Sequence, residues 1–291
     1  MALRRGMRHT AAMPKPPAPR KPAPARTRRP PAAPPSRPPQ HEDHRKLFRV
    51  AGLAAVSALF AREPERIERL FFDERLKGEV GDFCQRLARA RRPYRMVEGE
   101  ELARVAGTPM HGGVVALIEP RPVPVFDPEA AKGWAADGRP LLILDGVGNP
   151  HNLGAIVRTA AFFGIPRLVV SDHPAQALPS EASYRVAEGG FEWVEVRRAE
   201  RFATALKRLK GVYRVVGTAL SPHARPPASL GRAKGGRPVA LVLGNEEEGL
   251  PPATLAACDE VVMIPGAGQV QSLNVAATAA ILIHALAAPA P

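Results

Sequence analysis

From Leu141 onward, short near-continuous apolar runs alternate with longer stretches in which apolar residues recur every three or four positions. The runs Leu141–Leu144, Leu168–Val170, Trp193–Val196, Val212–Val216, Val239–Leu243 and Val261–Ile264 read as strands. Between them Leu153–Phe163, Glu181–Ala187, Ala199–Leu209 and Leu273–Ala287 carry helical spacing, with a short turn or helix near Pro252–Ala257. Strands apolar on both faces must be covered on both, so the alternation predicts an α/β domain with a mostly parallel sheet between helix layers.

Upstream, from His44 to about Pro120, the pattern is mixed. Leu47–Phe60 predicts a helix, Glu65–Asp73 a strand after a short turn, Gly81–Arg91 a second helix, and Tyr94–Val97 and Val114–Ile118 two more strands. Residues 121–138 contain Pro122, Pro124, Pro128 and Gly133, which suits a linker. The expected organisation is therefore an arm over residues 1–42, a small α/β domain over 43–120, a linker over 121–138 and a larger α/β domain over 139–288. A chain of 291 residues has room for two domains of the usual ~100–200 residues.

The net charge of +13 suggests a nucleic-acid partner, but most of it is local. Residues 1–40 hold ten Lys/Arg, twelve prolines and no Asp or Glu, which leaves 31 basic against 28 acidic residues in the remainder. Proline-rich sequence without apolar clusters has nothing to bury and is expected to be disordered or extended. It reads either as an electrostatic arm for RNA phosphates or as a solvated tail. A second basic cluster, Arg86, Arg89, Arg91, Arg92 and Arg95, accompanies Tyr94. It can hold a phosphate backbone while the ring stacks on a base, or form a solvated helix face. Two cysteines, Cys84 and Cys258, show no metal-ligand or CxxC spacing, so reduced thiols, no metal site and a cytoplasmic protein are expected. The N-terminus lacks an apolar signal core, and no apolar run reaches membrane-spanning length.

Three stretches carry candidate chemistry. LLILDGVGNPHNLGAIVRTAAFFG (Leu141–Gly164) reads as strand, glycine turn and helix, but its glycines do not make GxGxxG and no GK[ST] follows, so both nucleotide-phosphate fingerprints fail. Asn149 and Asn152 bracket the helix start, and Arg158 lies inside an otherwise apolar helix, where a buried guanidinium requires an anionic partner. LVLGNEEEGL (Leu241–Leu250) runs a strand into Gly244, Asn245 and Glu246, the side of a parallel sheet where ligands bind. IPGAGQVQSLNVAATAAILIHAL (Ile264–Leu286) joins a strand to the last helix through a glycine loop. There Ser272 and Asn274 can cap the helix start. Glu247, Glu248, His151, His173 and His223 read as solvated loop residues.

In order and spacing, NPHNLGAIVRTAAFFG, LVLGNEEEGL and IPGAGQVQSLNVAATAAI resemble the three motifs of the SpoU (TrmH) RNA 2′-O-methyltransferases. HGGVVALI (His111–Ile118) is similar to the closing segment of that family's small substrate-binding domain. Glu247 stands where glycine often follows the motif-2 glutamate, and Gly266 where methionine is common. The resemblance implies an α/β-knot, a homodimer packed through the knot and last helix, and S-adenosylmethionine as methyl donor. Gly244, Ile264 and Leu273 match positions lining the cofactor pocket; Asn152, Arg158, Glu246, Ser272 and Asn274 match the polar residues around the acceptor. It further implies an RNA substrate, with ribosomal RNA favoured over transfer RNA because of the N-terminal domain and transfer RNA left open. The competing readings are an RNA-binding assembly factor that retains the fold, and a knotted enzyme modifying a base.

Overall fold

The computed structural model describes residues 47–231 and 236–287. The expected arm lies outside them.

The first sheet is built from β1 (Phe48–Ala51), β2 (Ile67–Phe72), β3 (Tyr94–Met96) and β4 (Val114–Ile118), with helices α1 (Leu53–Arg62), α2 (Gly81–Arg89) and α3 (Gly99–Ala106). Its order is β1-β4-β2-β3, with β4 antiparallel to β1 and β2, and β3 parallel to β2. The helix expected over Leu47–Phe60 is in fact two elements. Phe48–Ala51 pairs with Ile118–Val115, and Gly52, at φ +96°, turns the chain before α1 begins. Long-range pairing overrides the helical spacing here. Helix α3 was not expected. Its acidic first turn, Glu100 and Glu101, complements the helix dipole, and Gly107 ends it in the left-handed region.

The second sheet holds β5 (Leu141–Asp145), β6 (Arg167–Val170), β7 (Glu195–Arg198), β8 (Arg214–Thr218), β9 (Val239–Gly244) and β10 (Glu260–Val262). All pairs are parallel, in the order β10-β8-β9-β5-β6-β7. Its helices are α4 (Ala130–Ala136), which forms inside the expected linker, α5 (Pro150–Phe162), α6 (Glu181–Ala187), α7 (Phe202–Leu209), α8 (Pro252–Ala257) and α9 (Val275–Ala287). The strand expected from Trp193 begins two residues later. Gly190–Glu192 forms a 3-10 turn, and Trp193 lies half-exposed beneath the Arg62 guanidinium. One sheet face packs on α5, α6 and α9, the other on Phe126, α4, α7 and α8.

The core beneath α5 and α6 is continuous with that of the first sheet. Gly154 lets α5 and α6 touch: a Cβ there would stand 2.4 Å from the Ser183 carbonyl oxygen. Gly189 does the same for α1, since its Cβ would meet Ala58 at 2.9 Å. Around this contact Arg66 pairs with Glu63 at 2.5 Å and Glu192 at 3.1 Å, while Arg121 pairs with the same carboxylates at 2.7 and 3.3 Å. Arg66 also donates to the Tyr184 hydroxyl at 3.1 Å.

Candidate active site

Strands β5 and β9 lie side by side with Asp145 opposite Gly244. From β5 the strand order proceeds one way through β6 and β7, and from β9 the other way through β8 and β10. This is a topological switch point, and the loops leaving β5 and β9 open where ligands of parallel sheets bind. The Asn245 amide donates to the Gly146 carbonyl at 2.8 Å and ties the two loops together. Gly244 is required by packing, because a Cβ would sit 2.5–2.7 Å from the Gly249–Leu250 peptide.

Asn149 caps α5, its Oδ1 accepting from the His151 amide at 2.8 Å, with Pro150 in the first turn. That leaves Asn152, one turn inside, free for other contacts. Its Nδ2 donates to Glu246 Oε1 at 2.6 Å, and its Oδ1 accepts from Asn274 Nδ2 at 3.1 Å. Asn274 Oδ1 in turn accepts from the Ala276 amide at 2.8 Å and caps α9. One residue from each of three distant stretches thus joins a single hydrogen-bonded chain. Glu247 and Glu248 donate their amides to Asn245 Oδ1 at 2.8 and 3.0 Å and are exposed, as expected. Ser272 is exposed beside Asn274, which alone of the two caps the helix.

Arg158 differs from expectation. It is exposed rather than buried, and its guanidinium pairs with Glu188 at 2.9 Å. Six residues beyond Asn152, it lies about 9 Å along α5 and about 120° around it, on another face. It shares that face with Phe162, an exposed ring four residues on. Glu188 gave no sequence signal; it follows α6 with φ 45° and carries its carboxylate to α5.

For the cofactor positions, Gly244 is buried, Ile264 half-buried and Leu273 half-exposed. Leu220, Val270 and Leu273 leave an exposed apolar surface in the segments that follow β8 and β10. The Ala219 amide, bonded to the Val262 carbonyl at 3.3 Å, holds those two strand ends together. Among the described residues no group of three or more His, Cys, Asp or Glu is arranged for a metal, and no helix is long and apolar enough to cross a membrane.

In the expected basic cluster three of the five guanidiniums have partners within the protein. Arg92 is tied to the Ile67 carbonyl and to Glu68, Arg95 pairs with Glu101, and Arg86 covers the Phe60 ring at 5.5 Å. Arg89 and Arg91 are exposed and have no ion-pair partner among the described residues; Tyr94 is 44% exposed beside them.

Residues 139–284 match the model of the SpoU rRNA methylase family, and residues 49–124 match that for RNA 2′-O ribose methyltransferase substrate binding. The chain belongs to the SpoU rRNA methylase family. This SpoU protein is 35% identical over 240 residues to the 23S rRNA (guanosine-2′-O-)-methyltransferase RlmB of Acinetobacter baylyi, covering 80% of this chain and 94% of the relative. It is 34% identical over 235 residues to YfiF of Escherichia coli O157:H7, an uncharacterized tRNA/rRNA methyltransferase, covering 81% of this chain and 66% of that one. The fold is shared with the AdoMet-bound rRNA methyltransferase from Sinorhizobium meliloti at a TM-score of 0.65 and 22% identity, covering 82% and 86% of the two chains. The three hydrogen-bonded residues of this SpoU protein all fall inside the matched methylase segment.

Proposed function

We propose that this SpoU enzyme transfers a methyl group from S-adenosylmethionine to a ribose 2′-hydroxyl of 23S ribosomal RNA, working in the cytoplasm as a homodimer. The observation that carries the reading is Asn152 bridging Glu246 and Asn274, which gathers the three motifs at the mouth of the β5–β9 switch point. We divide the chain into an arm over residues 1–42, a substrate-binding domain over 43–120, a connection over 121–138 whose Phe126 and α4 pack on the second sheet, and a methyltransferase domain over 139–288.

Gly244, Ile264 and Leu273 hold the cofactor with backbone groups, and the exposed apolar surface of Leu220, Val270 and Leu273 suits an adenosine moiety. When bound, S-adenosylmethionine supplies an electrophilic methyl on a sulfonium with a neutral leaving group. The protein's task is alignment of the acceptor hydroxyl and management of its proton. Asn152, Glu246, Ser272 and Asn274 orient the ribose, with Glu246 as the acceptor that turns the hydroxyl. Charged guanidinium donates only, so Arg158 is not the base. It grips the adjacent phosphate and steadies the developing alkoxide, while a phosphate oxygen or water takes the proton.

The C-terminal segment threads through a loop to form a knot. Supporting this, α9 packs against both α5 and the 3-10 turn Pro227–Leu230 in the β8–β9 connection. The dimer is supported by an uncovered stripe on α9, Ala277, Ile281 and His284, and by Phe162, which is 83% exposed. A partner covering Phe162 also reaches Arg158 on the same face, so Arg158 serves the partner's acceptor site. RNA enters over Arg89, Arg91 and Tyr94, near which Arg86 and Arg95 are exposed and Arg92 is half-buried.

The test is incorporation of labelled methyl from S-adenosylmethionine into ribosomal and transfer RNA from cells lacking the protein. Label in 23S RNA alone is expected; label in transfer RNA alone overturns the substrate, and no label despite cofactor binding favours a non-catalytic assembly factor.

A further inference from the structure

The HGGVVALI segment ends in strand β4, but its first residue has no part in the site above. His111 is 93% buried and lines a cavity of about 650 Å³ in the first domain, between the exit of β2, the start of α3 and residues 109–111. Gly112 and Gly113, at φ +60° and +85°, curl the chain so that the Gly113 amide donates to His111 Nδ1 at 3.2 Å. A Cβ at Gly113 would meet Leu76 at 3.0 Å, so the turn depends on glycine. With Nδ1 accepting, the proton of the neutral ring sits on Nε2. His111 lines the cavity beside Asp73, and the hydrogen bond from the Gly113 amide is the one its ring makes among the described residues.

The remaining lining defines what fits. Met96, Val97 and Pro109 provide apolar walls. Glu98 sits at the N-cap of α3 without making a side-chain cap, which leaves first-turn amides open, and Glu100 stands beside it. An anion is excluded, because the one cation in the lining, Arg75, is already held by Asp73 at 2.6 Å. The site therefore offers apolar walls, the exposed carboxylates of Glu98 and Glu100 with the open first-turn amides of α3, and the ring of His111. Its volume lies within the usual ~300–1,000 Å³ of small-ligand pockets.

We propose that this cavity captures an unpaired guanine base of the RNA substrate, away from the ribose that is methylated. Guanine alone among the four bases places two adjacent N–H donors, N1 and N2, on one edge and the acceptors O6 and N7 on the other. The donors meet Glu98 and Glu100; the acceptors meet His111 Nε2 and the open amides of α3. Unpaired bases held between side chains and read on their edges are the usual mode of sequence-specific RNA recognition. The cavity opens at the Phe72/Val114 end of the first sheet, whereas Arg66 and Arg121 dock the opposite, Ile67/Ile118 end onto the methyltransferase domain. It thus reads sequence at a distance from the reacting atoms.

The inference rests on an RNA substrate but not on turnover. The experiment measures binding of labelled pentaribonucleotides UUGUU, UUAUU, UUCUU and UUUUU to the full-length protein, with S-adenosylmethionine binding followed in parallel. UUGUU is expected to bind about ten-fold tighter than the others, as charge-assisted pairs to one base edge provide. Combined Glu98→Gln and Glu100→Gln substitutions abolish that preference while leaving UUUUU and cofactor affinity unchanged; His111→Asn weakens it. Equal affinity for all four sequences, or a guanine preference that survives in the double variant, overturns the proposal. Failure of methyl transfer in the same preparation would count against the enzymatic reading and leave the base preference as the measure of the cavity.

Discussion

Asn152 uses both ends of its amide, and the direction of its hydrogen bonds is fixed from outside. Ionised Glu246 can only accept, so Nδ2 must face it; Oδ1 is then left to accept from Asn274, whose own oxygen caps α9. Asn152→Ala is expected to lower kcat by about 10²-fold while changing cofactor affinity little, as loss of a hydrogen-bonding group at a reacting centre does. Asn152→Asp should be worse at neutral pH and partly recover on acidification, because its carboxylate would face Glu246 and the pair can share a proton. Steady-state rates across pH for the two variants check this; equal rates at every pH would refute the proposed polarity. Asn152, Glu246 and Asn274 were singled out through the motif resemblance, and the structure joins the three by hydrogen bonds. Arg158 was legible as a residue but not in its surroundings. Its exposure depends on helix phase against α6, and its partner Glu188 lies in a left-handed turn that no local pattern announces.

Between elements, the first domain is pinned to α6 and the turn after it by one shared ionic cluster. Burial pushes the Glu192 carboxyl up to about 7 against the pull of Arg66 and Arg121, with Glu63 adding to the rise. Burial also works to raise Glu63, but hydrogen bonds from Arg121 and Arg66 outweigh it and hold that carboxyl below its usual range. A carboxylate raised on folding binds more protons in the folded state, so its contribution to stability falls as pH rises from the ordinary value of 4.5 to about 7. The stability of the wild type relative to Glu192→Gln should decline across that window in urea titrations; a constant or rising difference would contradict the assignment. The cluster was invisible in sequence, since its four charges lie on segments up to 129 residues apart. The parallel sheet was read correctly because its strands are apolar on both faces. The Leu47–Phe60 segment was misread because alanine- and leucine-rich sequence gives helical spacing even where four residues are claimed by a neighbouring strand.

At the scale of the whole molecule, the proposed dimer makes the acceptor site a joint construction. If Arg158 acts in the partner's site, mixing Arg158→Ala with Asn152→Ala subunits restores roughly a quarter of wild-type activity, since half the dimers are mixed and each has one intact site. Neither homodimer is active, and no recovery on mixing would place Arg158 beside Asn152 of its own chain. Net charge pointed to RNA only through residues 1–40, while residues 41–291 are nearly balanced in charge. For residues 49–284 it is the family match and local surfaces, rather than net charge, that point to RNA. The most direct measurement is the chemical identity of the product. RNA methylated by the wild-type enzyme is digested to nucleosides and analysed by mass spectrometry beside RNA treated with Asn152→Ala. The expected result is one 2′-O-methylated nucleoside, made by the wild type and nearly absent with the variant. A methyl group on the base instead of the ribose, or equal product from both proteins, would contradict the account.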